Sequence, residues 1–137
     1  MSIIAVLTEH SRKLLAEEDL VRVTSVYANL HVADIASAKS FYADYLAMSV
    51  ESINMEWVTR FTSPDTGASV QLLTRDASAP QDPVASIRVD DVEAALNEAQ
   101  QRGYEIVHPL TTEPWGVRRF FVRAPDGNVF NIAQHQD

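Results

Sequence analysis

The sequence contains no cysteine among its 137 residues. This absence excludes disulfide bonds, thiolate metal ligands and cysteine nucleophiles. Glycine is scarce as well, and the four glycines lie too far apart in the sequence to form a phosphate-binding loop. The four histidines form no pair at metal-ligand spacing, and neither a Ser/His/Asp arrangement nor a pair of acid–base carboxylates can be recognised. The sequence therefore offers no convincing candidate for nucleophilic catalysis, for a Gly-rich phosphate site or for paired acid–base carboxylates.

Long apolar segments are also missing. The apolar run at residues 3–7 has no basic residue before it and is ended by Thr8, Glu9 and His10. It is too short for a membrane span and lacks the flanks of a signal peptide. We therefore expect a cytoplasmic protein without a membrane partner.

Basic residues are in the minority, with 11 Lys and Arg against 19 Asp and Glu and a net charge of −8. A charge of this sign repels phosphate backbones, so nucleic acid is not expected as a partner. The same long-range field mildly favours cationic ligands, although solubility alone is a sufficient explanation for it. The composition, 46% hydrophobic and 22% charged, predicts a single folded domain rather than a disordered chain.

The first half of the chain shows one helix–strand series. Apolar residues at helical spacing over residues 2–18 predict an amphipathic helix within an N-terminal extension, residues 1–22. From Thr24 the pattern becomes that of a strand, and Asp34 is placed to cap a following helix. Three further strands are predicted near residues 48–54, 56–63 and 68–74.

The second half repeats this order after a linker at residues 75–83 that is rich in proline and small residues. A strand is predicted near 84–89, then a helix that stops at Gly103. The final strands are predicted near 104–109, 117–123 and 128–134. Two stretches also match between the halves. "LHVADI" matches "IRVDDV", and "SPDTGASVQLL" matches "APDGNVFNIA", so Gln71 and Asn131 occupy equivalent positions in the two halves.

This duplication predicts an α+β domain over residues 23–137, with modules at about 23–75 and 83–135. Each helix is expected to cover one face of its own four-stranded, mixed sheet. The opposite faces carry Tyr27, Asn29 and His31 on the first strand, Val84, Ser86 and Arg88 on the fifth, and Gln71 and Asn131 on the fourth and eighth. A semi-polar concavity lined by both halves is the expected ligand site.

Three stretches carry a resemblance to a known family: "LHVADIASAKSFYADYLAMSV", "ASIRVDDVEAALNEAQQRGYEIV" and "EPWGVRRFFVRAPDGNVFNI". They resemble the vicinal oxygen chelate superfamily of glyoxalases, bleomycin resistance proteins and extradiol dioxygenases. The resemblance spans about residues 24–135. It implies tandem βαβββ modules that form a cupped, incomplete barrel, and in small members a homodimer with two pockets.

The resemblance also implies where a metal would lie. Enzymes of the family carry one ligand on each of the first, fourth, fifth and eighth strands, and the matching positions here are Tyr27, Gln71, Val84 and Asn131. None is histidine or a carboxylate, and valine has no donor atom. We therefore expect neither a bound metal nor another cofactor, and we assign no catalytic residue.

Several other side chains are candidates for ligand contacts. Trp57 lies in a predicted strand and is equally well explained as a core residue, whereas Trp115 lies in a loop where a planar wall for a ligand is expected. Arg118 could meet an anionic group, but the sequence does not show which face of its strand points inward. His31 shares the face of Tyr27, and a hydrogen-bonding role is favoured over a shifted metal site. His10, His108 and His135 are interpreted as surface residues.

These observations favour a metal-free protein that binds a small amphipathic or aromatic compound, such as an antibiotic or metabolite, in a pocket shared by two subunits. The alternative is a lyase, isomerase or dioxygenase with a relocated metal site, or a metal-free enzyme with His31 or Tyr27 as acid–base group. A vestigial pocket in a domain used only for assembly is a third possibility.

Overall fold

The structure, a computed structural model, describes residues 20–76 and 79–135. The helix predicted over residues 2–18 lies outside this range. Eight strands and two helices follow one another in two similar series. The first series is β1 (Val23–His31), α1 (Ile35–Lys39) with a π-helical turn (Ser40–Tyr45), β2 (Val50–Met55), β3 (Val58–Thr62) and β4 (Ser69–Leu73). The second series is β5 (Ala85–Val89), α2 (Val92–Gln101), β6 (Glu105–Glu113), β7 (Val117–Arg123) and β8 (Val129–His135).

All eight strands belong to one sheet in the order β2-β3-β4-β1-β5-β8-β7-β6. Within each module the first and last strands are parallel and the remaining neighbours are antiparallel. The modules join through the antiparallel pair of β1 and β5. The predicted α+β architecture of two βαβββ modules is confirmed, and β6 is longer than the predicted strand at residues 104–109.

The second module buries its outer face beneath α2. Asp91 caps this helix by accepting a hydrogen bond from the backbone N–H of Ala94 at 3.1 Å. Val92, Ala95 and Ala99 face the sheet and pack with Phe120 and Val89 in the main core cluster. The predicted helix–sheet packing is therefore confirmed for this module.

The first module differs from this expectation. Neither α1 nor its π-helical turn has a buried residue, and the large side chains of Phe41 and Tyr45 are exposed. Tyr42 stacks on the fully buried Phe61 with ring centroids 5.9 Å apart, which anchors the turn to the sheet. The chain passes from α-helical to π-helical geometry at Ser40, and the outer face of β1 is exposed, as Val26 shows at 62%.

The linker at residues 75–83 forms no helix or strand in its described part, as expected. It nevertheless packs against the inner face of the second module. Asp76 and Ala79 are buried, and Ala79 joins Phe121 and Val129 in a second core cluster. The burial of the linker places its polar atoms beside the candidate site described below.

No helix among residues 20–76 and 79–135 combines the length and apolar character needed to cross a bilayer.

Candidate functional site

Two tryptophans meet over the inner face of the sheet. Trp57 lies in the turn between β2 and β3, so its predicted place within a strand is wrong, and Trp115 lies in the turn between β6 and β7. These hairpins stand at opposite edges of the strand order. Their indole rings nevertheless pack edge to face with centroids 5.7 Å apart. The sheet therefore curls until its edges approach, which gives the cupped, incomplete barrel expected from the resemblance.

A row of polar side chains crosses the inner face where the modules join. Gln71 Nε2 donates to Asn29 Oδ1 at 3.0 Å, and Asn29 Nδ2 donates to Ser86 Oγ at 2.9 Å. Asn131 Nδ2 donates to the same hydroxyl oxygen at 3.0 Å. Strand pairing sets this row, because Asn29 lies opposite Gln71. In the second module Ser86 lies opposite Asn131 in the same way. We call these four residues the amide floor.

Arg60 on β3 places a cation at one end of the amide floor. Its Nη2 donates to the hydroxyl of Tyr27 and makes a longer contact of 3.5 Å with Gln71 Oε1. The guanidinium carbon also lies 4.1 Å from the centre of the Tyr27 ring, within the range of a cation–π interaction. Arg60 reaches this place because it lies opposite Gln71 in the β3–β4 pair.

Burial shifts the pKa values of both Tyr27 and Arg60. Burial raises the pKa of Tyr27 above the ordinary tyrosine value, and the positive charges of Arg60 and Arg88 oppose this rise only in part. Burial lowers the pKa of Arg60, while its contact with Tyr27 acts in the opposite direction. At neutral pH Tyr27 is therefore a neutral phenol able to donate a proton, and Arg60 is a cation.

The amide floor, Tyr27, Arg60 and the two tryptophans enclose an inner cavity of about 30 Å³. Such a volume holds one or two water molecules, since one water needs at least about 10–15 Å³. Residues of both modules line the cavity, so one chain is sufficient to form it. Seven of the predicted ligand-binding residues lie there: Tyr27, Asn29, Trp57, Gln71, Ser86, Trp115 and Asn131.

Three predicted residues lie elsewhere. Val84 precedes the first residue of β5 and is 47% exposed, and His31 is exposed at the last residue of β1. Arg118 points to the outer face, where its Nη2 bonds Glu93 Oε1 at 2.7 Å. Strand alternation explains this, because the buried Phe120 on the same face packs beneath α2. Arg118 is therefore replaced in the cavity by its neighbour Arg119.

Sequence reasoning missed Arg60 and Arg119. Arg60 is the one charged residue of β3, whereas Arg119 lies next to Arg118 on β7, where the sequence did not show which face points inward. The hairpin turn at residues 63–67 also fixes Arg60 opposite Gln71, so a register argument would have found it. The surface interpretation of two histidines is also wrong: His108 is buried with its ring 5.1 Å from Phe121, and His135 lines the inner cavity.

Arg119 forms the centre of a buried ion network at the far end of the cavity. Its Nη1 lies 2.7 Å from Asp76 Oδ2, and its Nε lies 3.2 Å from Glu113 Oε1. His108 Nε2 lies 3.6 Å from the same oxygen of Glu113. The Arg119 guanidinium also packs 5.2 Å from the centre of the Trp115 ring. The network fixes the linker and Trp115 to β7 and leaves Arg119 neutralised by carboxylates.

The side chains at the four metal-ligand positions do not fit a divalent metal. Tyr27 stays protonated, Val84 offers no donor atom, and the remaining donors are amide oxygens of Gln71 and Asn131. Two of these positions already face the cation of Arg60, which would repel a divalent ion. Among the residues that the structure describes, no group of three or more His, Asp or Glu could hold a metal. Asn131 Oδ1 is buried without a hydrogen-bond partner, which leaves one acceptor in the floor.

The two modules share their strand pairing pattern but differ in the residues that face the amide floor. Arg60 lies opposite Gln71 in the first module, and the residue opposite Asn131 in the second is Phe121. The first module therefore presents a cation to the amide floor where the second presents an aromatic ring.

Comparisons with known proteins agree with this fold. A family model described as the Glyoxalase/Bleomycin resistance protein/Dioxygenase superfamily matches residues 24–132. No curated protein sequence matches the chain significantly. Methylmalonyl-CoA epimerase from Mycobacterium tuberculosis is similar in structure, with a TM-score of 0.66 and 21% identity over 93% of this chain and 97% of that one.

Two further solved structures are similar. A glyoxalase/bleomycin resistance protein/dioxygenase superfamily member from Vibrio splendidus 12B01 has a TM-score of 0.57 and 22% identity over 85% of this chain and 100% of that one. The Mn(II)-bound glyoxalase from Novosphingobium aromaticivorans has a TM-score of 0.56 and 23% identity over 84% of this chain and 40% of that one. Identities at this level are evidence for a shared fold only.

Proposed function

The chain belongs to the glyoxalase/bleomycin resistance protein/dioxygenase superfamily, and from this premise we propose that it binds a small organic molecule in the inner cavity without a metal. The observation that carries the proposal is the contact of Arg60 with Tyr27 and Gln71. A cation takes the place next to two positions at which metal-dependent members hold their ion. The amide floor supplies hydrogen-bond donors and acceptors for a polar ligand instead.

The ligand we propose is aromatic or amphipathic, such as an antibiotic or a metabolite. Trp57 and Trp115 offer flat apolar surfaces to such a molecule at low entropic cost. The cavity of about 30 Å³ is too small for it while the two rings are in contact. Binding therefore requires the tryptophans to separate, and this movement makes both rings reporters of occupancy.

Elemental analysis tests the metal-free part of the proposal. Protein purified without chelator is expected to retain far less than one Zn, Fe, Ni or Mn ion per chain after gel filtration. A content near one tightly held ion per chain would contradict it.

Tryptophan fluorescence tests ligand binding. We expect a saturable change on titration with at least one member of a panel of planar aromatic compounds that includes cationic, neutral and anionic examples. Trp57→Phe and Trp115→Phe each leave a single reporter, because the chain has two tryptophans. If no compound gives a saturable signal in the wild-type protein, the binding proposal fails.

A metal-free enzyme is the second candidate, and Tyr27 is the observation that favours it. Burial keeps the phenol protonated beside Arg60, which suits a general acid. His31, the other acid–base candidate, is exposed and does not line the cavity. Deuterium exchange into methylmalonyl-CoA, the compound in the name of the Mycobacterium tuberculosis relative, tests this candidate. Exchange that is lost in Tyr27→Phe and kept in His31→Ala would favour the enzyme.

Homodimer formation, which the resemblance implies, stays a prediction, and light scattering of the purified protein measures it. Because residues of one chain line the cavity on both sides, we expect ligand binding to survive dilution below any dimer dissociation constant.

A further inference from the structure

A larger cleft adjoins the inner cavity on the first module. It has a volume of about 510 Å³, within the range of about 300–1,000 Å³ typical of small-molecule sites. Tyr27 and Arg60 line both spaces, so their contact forms the boundary between them. The turn between β3 and β4 and the first residues of β1 complete the walls of the cleft.

The walls of this cleft are polar and positively charged. They carry two arginines, Arg60 and Arg88, and six serine or threonine residues. No Asp or Glu lines the cleft among the described residues. This composition is unusual in a chain with a net charge of −8. At short range the charge of Arg60 matters more than the net charge of the chain, because salt screens charges beyond about 8 Å.

Arg60 supplies a cation without a counter-ion. Its hydrogen-bond partners are the Tyr27 hydroxyl and the amide oxygen of Gln71, and no carboxylate lies within 4.0 Å of it in the part of the chain that the structure describes. Its Nε is buried and has no hydrogen-bond partner there. Burial and the nearby charge of Arg88 both lower the pKa of Arg60, so an anion in the cleft would relieve an unfavourable environment.

We propose that this cleft binds the oxyanion of a small organic ligand, a carboxylate or a phosphate group, with Arg60 as its charged partner. The surrounding hydroxyl groups offer neutral hydrogen bonds, and Tyr27 offers a protonated phenol at the boundary. The inference rests on the proposed function, because the uncharged part of the same ligand would extend towards the inner cavity. The net charge of the chain alone suggested a mild preference for cationic ligands. The cleft predicts a preference for anionic ligands instead.

Matched aromatic probes test the sign of the preferred charge. Isothermal titration of the full-length protein with naphthoate, naphthyl phosphate and naphthamide compares one ring system with and without an oxyanion. We expect at least one anionic probe to bind about ten- to hundred-fold more tightly than naphthamide, the range for a hydrogen bond to a charged group. The tighter of the two anions then identifies the oxyanion as a carboxylate or a phosphate.

Substitutions of single arginines test whether Arg60 is the source of the anion preference. Arg60→Met is expected to remove most of the ratio between anion and naphthamide affinities, whereas Arg60→Lys should retain part of it. Arg118→Met is the matched control, because Arg118 lies on the outer face and bonds Glu93. If Arg60→Met does not fold, the wild-type protein still provides a test. The anion affinity should fall with added salt and with competing inorganic phosphate, while naphthamide affinity stays constant.

The outcomes separate the two proposals. Equal affinity for the anionic and neutral probes, or an anion preference that survives Arg60→Met, would overturn the oxyanion cleft and leave the proposed binding function intact. Failure of every probe to bind would overturn both.

Discussion

Arg118 and Arg119 are neighbours on β7, but Arg118 is partly exposed and Arg119 is buried. Comparing a substitution of each tests the buried ion network around Arg119. The Arg119 side chain is 5% exposed and contacts two carboxylates that are 3% and 6% exposed. Arg118 is 29% exposed and its partner Glu93 is 62% exposed. Arg119→Met leaves two buried carboxylates without their cation, which costs about 3–5 kcal/mol of unfolding free energy. Arg118→Met breaks an exposed pair worth about 1 kcal/mol at most.

Urea unfolding followed by circular dichroism measures both variants. With a slope of about 2 kcal/mol per molar urea, Arg119→Met lowers the midpoint by about 1.5–2.5 M and Arg118→Met by less than about 0.5 M. Adding Asp76→Leu to Arg119→Met removes one of the two buried carboxylates that faced Arg119 and should restore part of the loss. Equal midpoint shifts for the two single variants would refute the assignment of Arg119 as the centre of a buried network.

Further variants probe the core, the site and a helix cap. Phe61→Ala should lower the unfolding free energy by about 3–5 kcal/mol, and Phe41→Ala, which truncates a half-exposed ring, by less than about 1 kcal/mol in the same urea assay. Because burial raises the pKa of Tyr27 above its unfolded value, its contribution to stability is present at neutral pH and is lost as the pH rises through the folded pKa. Stability should therefore fall more steeply above about pH 10 in the wild type than in Tyr27→Phe, and equal alkaline urea profiles would contradict this. Asp91→Ala should lower thermal stability by about 1 kcal/mol while Asp91→Asn keeps the cap, and identical melting curves for both would argue against the capping bond.

Much of the fold follows from local patterns. In β1, Tyr27 and Asn29 alternate with apolar residues, and this alternation correctly indicated that both line the cavity, although it also pointed to His31, which is exposed at the end of the strand. The repeated turn sequences aligned Gln71 with Asn131, and both lie in the amide floor. These features depend on strand periodicity and turn chemistry, which short stretches of sequence encode.

Other features depend on contacts between distant segments. Val84 was assigned to the site through the resemblance, and its backbone does bond to Asn29 and Val129 on both neighbouring strands, but its side chain is 47% exposed and does not line the cavity. The contact of Trp57 with Trp115 depends on how far the whole sheet curls, which no single strand determines. The face of Arg118 depends on which side α2 covers, because both faces of β7 alternate charge with apolar residues.

The position of the second module that corresponds to Arg60 holds Phe121, and this difference affects the orientation expected for a ligand. A cup built from two identical halves would accept a molecule in either of two orientations related by a half-turn. Here Arg60 of one half lines the inner cavity, whereas Phe121, which lies opposite the equivalent amide in the other half, is fully buried against Ala79 and does not line the cavity. For the ligand we propose, an anionic head group would find the Arg60 cation in one half of the cup only, so we expect a single bound orientation.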